Sequence, residues 1–131
     1  FSQEELDSSE MQKQLVKFYK KQAREYITLR AEYWAEVTQL KYSDLKFRNQ
    51  KSVWGTCSSK GVVCLNIKLV VAPLEVIDYV IIHELCHLKH HNHSREFWGL
   101  VSEYAPSYKE QKSWLFENRF AFDFLSNSVE I

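Results

Sequence analysis

The span His83-Glu-Leu-Cys-His87, with a further histidine at His93, concentrates the residue types that bind a transition metal and move protons. Residues four apart on an α-helix are offset by about 40° around the axis and about 6 Å along it, so His83 and His87 leave the same face. Two ligands for one ion are thereby preplaced. Glu84 follows the first of them and points to one side of the pair. There a carboxylate reaches a water on the metal without displacing it, which is the position of a general base. The chemistry suggested is water activation for hydrolysis, and Zn2+ is the ion that suits imidazole ligands in a tetrahedral site.

A catalytic zinc takes three protein ligands and keeps a fourth position open, so a third ligand is required. His90, His91 and His93 compete for the role. On an unbroken helix His90 returns to the face of His83 but about 10 Å along the axis, too far for one small ion, and His91 is no better. Asn92 tolerates the left-handed conformation that ends helices, and Ser94 is a good N-cap for a following helix. A sharp turn at Asn92 swings His93 back toward the metal. The expected ligands are therefore His83, His87 and His93, with His90 and His91 facing solvent or supporting the ligands.

Several elements must position these groups. Pro73, an early acid at Glu75 and apolar residues through Ile82 read as the start of a buried helix that carries the motif. Residues 10–40 contain neither glycine nor proline and read as a long helix, with Phe18, Tyr19, Ala23, Tyr26, Ile27, Trp34 and Val37 as its apolar stripe. Residues 44–48, 51–57 and 62–67 read as strands of a small antiparallel sheet, the last two joined by a hairpin turn at residues 58–61. An edge strand beside the metal can pair with an extended peptide, and Gly55 beside Trp54 permits close backbone approach. Two short helices, residues 94–104 and 108–120, complete the chain's elements, with Phe97, Trp98, Val101, Trp114, Leu115 and Phe120 as their core residues.

Composition bounds the function. The 131 residues, 45% hydrophobic and 15% aromatic, suffice for one sizeable core. Seventeen basic and seventeen acidic residues cancel, which gives no strong nucleic-acid signal overall, although Lys13, Lys17, Lys20, Lys21 and Arg24 form a local basic patch. No run approaches the length of a membrane span and the N-terminus lacks the order of a signal peptide, so a cytoplasmic protein with no membrane partner is expected. The chain starts at Phe1, which leaves room for an upstream domain; core packing is the default role of the aromatics on the N-terminal helix, and a docking face for such a domain or a partner is the alternative. Three cysteines without a framework point to reduced thiols. Cys57 and Cys64 facing each other across the hairpin, as a disulfide or second metal site, is the sharper alternative, while Cys86 is expected in the core.

The order Trp54-Gly-Thr-Cys-Ser, Leu65-Asn66, Ala72-Pro73, Ile77-Asp-Tyr-Val80, His83-Glu-Leu-Cys-His-Leu-Lys89, Asn92-His-Ser94, Phe97-Trp98, Pro106 and Trp114-Leu115 resembles the YgjP-like metallopeptidase domain family. The resemblance implies a compact zincin fold related to SprT-like and minimal gluzincin-type peptidases, with zinc on His83, His87 and His93, Glu84 as base, and a peptide or protein substrate. One position departs from the family pattern: Val53 stands where an arginine usually precedes the Trp-Gly pair. The expected architecture is α+β, a single zincin-like domain over residues 1–131, with a helical part at 1–42, the sheet and metal-site core at 43–122 and a tail at 123–131. Two other readings share the motif. A zinc-stabilised interaction module would close a four-ligand site with Cys86, His90 or His91, and would leave Glu84 without a role. A zinc hydrolase of a non-peptide substrate would use the same water activation.

Overall fold

The computed structural model describes residues 8–51 and 53–121, so the expected tail at 123–131 lies outside the described residues. The first element is one continuous helical rod in three parts: α1 (Ser8–Gln22), a π-helical segment (Ala23–Ile27) and α2 (Thr28–Thr38). Its buried apolar positions, Ala23, Ile27, Ala31 and Ala35, recur every fourth residue. In a pure α-helix that spacing drifts by about 40° per step. The looser π turn takes up part of the drift and keeps the small residues against the core. The expected aromatic stripe is accordingly split: Phe18, Tyr26 and Val37 are exposed, whereas Tyr19 and Trp34 are half-buried. Small side chains let the rod sit close to its neighbours, which turns larger residues outward. The rod ends at Gln39, in the left-handed region with φ 59°.

Three strands follow: β1 (Asp44–Arg48), β2 (Gly55–Cys57) and β3 (Val62–Asn66). β2 and β3 form the expected hairpin, closed by the amide of Gly61 donating to Ser58 O at 3.0 Å, with Gly61 supplying φ 84°. The sheet is not wholly antiparallel, however. Its order is β1-β3-β2 and β1 pairs with β3 in parallel. The connection from β1 to β3, residues 49–61, is long enough to cross over because it carries β2 to the far side of β3.

β2 is also shorter than expected, for a polar reason. Asn66, 2% exposed, donates through Nδ2 to the carbonyls of Gln50 and Val53, both at 2.8 Å. The amide of Asn66 donates to Trp54 O at 3.0 Å, and Lys68 Nζ donates to Gln50 O at 2.8 Å. Gln50 and Val53 are thus tied to side chains and Trp54 to a backbone amide, and the ladder begins only at Gly55. Asn66 Oδ1 also accepts from the Lys68 amide at 3.1 Å, capping a 3-10 turn (Ile67–Val71) that leads to Pro73.

Pro73 opens α3 (Leu74–Cys86), which is buried around most of its circumference. Val76, Ile77, Val80, Ile81, Ile82, Leu85 and Cys86 meet Ala23, Ile27, Ala31, Val63, Leu65, Phe97 and Val101 in one cluster. Each fully buried Ile or Leu there contributes about 1.5–3 kcal/mol. α2 is fixed to α3 by a bidentate pair, Arg30 Nε to Asp78 Oδ1 at 3.0 Å and Nη2 to Oδ2 at 2.7 Å. α4 (Arg95–Tyr104) begins as expected at Ser94, whose Oγ accepts from the Phe97 amide at 3.3 Å. α5 (Tyr108–Glu117) stops before Phe120, which is exposed rather than a core residue. Among the described residues no helix is long and apolar enough to cross a membrane.

Candidate metal centre

His83 and Glu84 lie in the last turn of α3 and His87 caps it. The helical hydrogen-bond pattern runs one turn further, with the His90 amide donating to Cys86 O at 2.9 Å. The chain then bends at residues 91–92 and returns to bring His93 to the helix. The expected left-handed turn at Asn92 does not form: among the described residues only Gln39 and Gly61 have positive φ. The reversal is instead held at both ends, by His87 Nδ1 donating to His90 O at 3.1 Å and by the Ser94 cap.

The result is a cluster in which one nitrogen from each of His83, His87 and His93 lies within 4.8 Å of the others. The Nε2 atoms of His87 and His93 are 3.0 Å apart. Nitrogens on a tetrahedral ion at 2.0–2.1 Å are about 3.3 Å apart, so the donor set fits a zinc-sized ion with small adjustments. Cys86, His90 and His91 do not join the cluster, and Cys86 is fully buried in the core.

The surroundings prepare these imidazoles as ligands. Tyr79, one turn earlier on α3 and 4% exposed, places its hydroxyl 3.1 Å from His83 Nδ1. With Nδ1 of both His83 and His87 hydrogen-bonded, their Nε2 atoms are left for a metal. Burial and the neighbouring imidazoles push His83 down to about 3, which leaves it neutral at pH 7, and burial lowers His87 as well. Phe97 lies under the cluster, stacked on His87 at 4.4 Å between centroids, and Trp98 lies 5.6 Å from both His83 and His93. Lys112 sits over the Trp98 ring at 4.4 Å and adds positive charge beside His83.

Glu84 is 6% exposed, and burial raises its carboxyl to about 8 in the metal-free chain. Its side chain lies against β2: a Cβ at Gly55 would stand 3.1 Å from Glu84 Cγ and Oε2. The glycine is therefore a close approach between strand and helix. Val53 carries its side chain outward, 40% exposed, while its carbonyl is held by Asn66.

Cys57 and Cys64 do not pair. The hairpin register sets Cys57 opposite Val63 and Cys64 opposite Thr56, an offset of one residue that sends the two thiols to opposite faces. Sequence reasoning overlooked Tyr79, Asn66 and Trp98 as parts of the site. Asn66, a lone amide at the end of an apolar strand, was the legible signal among them.

The chain's similarities to known proteins agree with this geometry. It is similar to the metallopeptidase zymogen of Pyrococcus abyssi abylysin, a crystal structure with 26% sequence identity, TM-score 0.53, and coverage of 58% of this chain and 76% of that one. No curated protein matches it. Residues 1–118 match the model of the YgjP-like metallopeptidase domain. A metal-capable histidine cluster at the end of a buried helix, on an α+β fold shared with a metallopeptidase, thus accompanies a match over most of the chain, which belongs to the YgjP-like metallopeptidase domain family.

Proposed function

We propose that the protein is a zinc-dependent peptidase in which His83, His87 and His93 hold the ion and Glu84 is the general base. The observation that carries this reading is the convergence of three imidazoles, from two ends of a chain reversal, beside a buried carboxylate. When bound, the ion supplies Lewis acidity to water and to the scissile carbonyl. Glu84 takes the proton of the attacking water and returns it to the leaving amine. Its burial by β2 and α3 excludes competing solvent and limits its motion. β2 is a sheet edge, so an extended peptide can add to it as a further strand. The absence of a side chain at Gly55 keeps that strand close to Glu84.

The open character of the cluster supports catalysis over a closed structural site, since Cys86, His90 and His91 contribute no fourth ligand. The test is metal content together with cleavage of casein and a peptide library, by the wild type and by Glu84→Gln at equal zinc loading. The expected result is a single zinc in both proteins and cleavage reduced at least about 100-fold in the variant. Retained turnover would overturn the assignment of the base, and failure to bind zinc would overturn the ligand set. Zinc without cleavage by either protein would replace the peptidase reading with a zinc module or a non-peptide hydrolase.

A further inference from the structure

The N-terminal rod and the edge strand β1 enclose a groove of about 830 Å³ that the peptidase reading leaves without a role. Lys20 and Arg24 line it from the rod, Lys46 and Arg48 from the strand, and no acidic side chain lines it. All four cations are exposed, and none is in an ion pair with a described residue. A second depression continues the groove along the rod, lined by Lys17, Phe18, Lys20, Lys21 and Arg24 among others. Glu25 is the one acid in either lining. A chain of zero formal charge has therefore gathered six of its seventeen Lys and Arg residues into one strip.

Cations on an edge strand have a simpler use, since charged side chains deter edge-to-edge aggregation. That explains Lys46 and Arg48 alone. It does not explain why Lys20 and Arg24, on a different element, line the same groove. Nor does it explain Phe18, whose ring is 54% exposed between Lys17 and Lys21. Cations recurring turn after turn along a helix suit a linear polyanion better than a single phosphate. The exposed ring then distinguishes among polyanions. The acidic side chains of a peptide bring no aromatic ring to stack on it, and a duplex keeps its bases stacked inside, whereas a single strand presents bases that stack on aromatic rings.

We propose that this strip binds single-stranded nucleic acid, with phosphates along the two rows of cations and a base on the ring of Phe18. The site is on the β1 edge of the sheet, away from the β2 edge beside Glu84, and the proposal does not depend on what the metal centre does.

The test is fluorescence anisotropy of the whole metal-loaded chain with a labelled single-stranded DNA of mixed sequence. The variants are Lys20→Glu/Arg24→Glu, Lys46→Glu/Arg48→Glu and Phe18→Ala. The control is Lys60→Glu/Lys109→Glu, which makes the same charge change at two other exposed lysines. The expected result is salt-dependent binding that each groove double variant weakens by about tenfold or more, with a shallower salt slope. Phe18→Ala should weaken it by about fivefold or more. Absence of binding at low salt, or an equal loss in the control, would overturn the proposal. Tighter binding of the matched duplex, or displacement of the strand by polyglutamate at equal charge, would overturn it in favour of another polyanion.

Discussion

Gly55 and Glu84 meet so closely across the β2–α3 interface that a Cβ at residue 55 would lie 3.1 Å from two atoms of Glu84 and 3.2 Å from Leu65, so these neighbours would have to give by a few tenths of an ångström. Leu65 is 1% exposed and Glu84 6%, so neither can swing into solvent. Gly55→Ala should therefore displace the carboxylate or the strand, costing about 1–3 kcal/mol in urea unfolding. Peptide cleavage should slow by about tenfold or more while zinc content stays unchanged. Wild-type stability and turnover in this variant would show that the contact has slack.

Tyr79 is expected to act through His83. Removing its hydroxyl in Tyr79→Phe leaves Nδ1 of His83 without its partner at 3.1 Å. Zinc affinity, read by competition with a chelator, should fall by about tenfold to a hundredfold, with helical content preserved. Equal affinity in variant and wild type would reduce Tyr79 to a packing residue.

Gln39 closes the rod in a conformation that favours glycine, with φ 59°. Relieving that conformation in Gln39→Gly gains about 1–2 kcal/mol, and the greater freedom of the unfolded chain returns about 0.4–1 kcal/mol. The side chain's bond to Glu36 O is exposed and contributes little. A net rise of about 0.5 kcal/mol or more in urea unfolding is expected, and a destabilised variant would contradict the accounting.

Burial, and to a lesser degree the charge of Glu84, raises the Cys57 thiol from 9.0 to about 11. The thiolate is the reactive form, so at pH 8 Cys57 should alkylate slowly, with about one thiol in a thousand ionised. The rate should rise about tenfold per pH unit and level off only near pH 11. The same shift favours the folded chain below pH 9.0, and that contribution is lost as pH rises through about 11. Labelling of Cys57, followed by mass spectrometry, that already plateaus near pH 9 would contradict this.

Legibility followed the range of the interactions involved. β1 was readable at its exact limits because its alternation of exposed and half-buried residues is local. The hairpin turn was readable because Gly61 signals positive φ. The spacing of His83 and His87 follows from one helix, and the return of His93 was anticipated, though by a turn at Asn92 that the chain does not use. Strand order was not legible, because the parallel pairing of Leu45 with Val63 depends on where β2 goes. The burial of Ala31 and Ala35 in preference to Phe18 and Val37 was missed for a similar reason: closeness of approach between elements is a tertiary quantity. Tyr79 resembles any core aromatic until His83 is placed one turn beyond it.

The π turn at Ala23–Ile27 sets the angular phase between the two segments of the rod, since its five residues turn the chain about as far as four α-helical ones. Inserting one residue in α1 after Lys20 would rotate the part N-terminal to it by about 100° against α2, since each α-helical residue advances the chain by that angle. The Arg30–Asp78 clasp would hold α2 in place, so the rotation would fall on Lys17, Phe18 and Lys20. A single-codon change remote from the histidines would thereby disassemble the cationic groove and spare the hydrolytic machinery, which makes the two separable in heredity as well as in space.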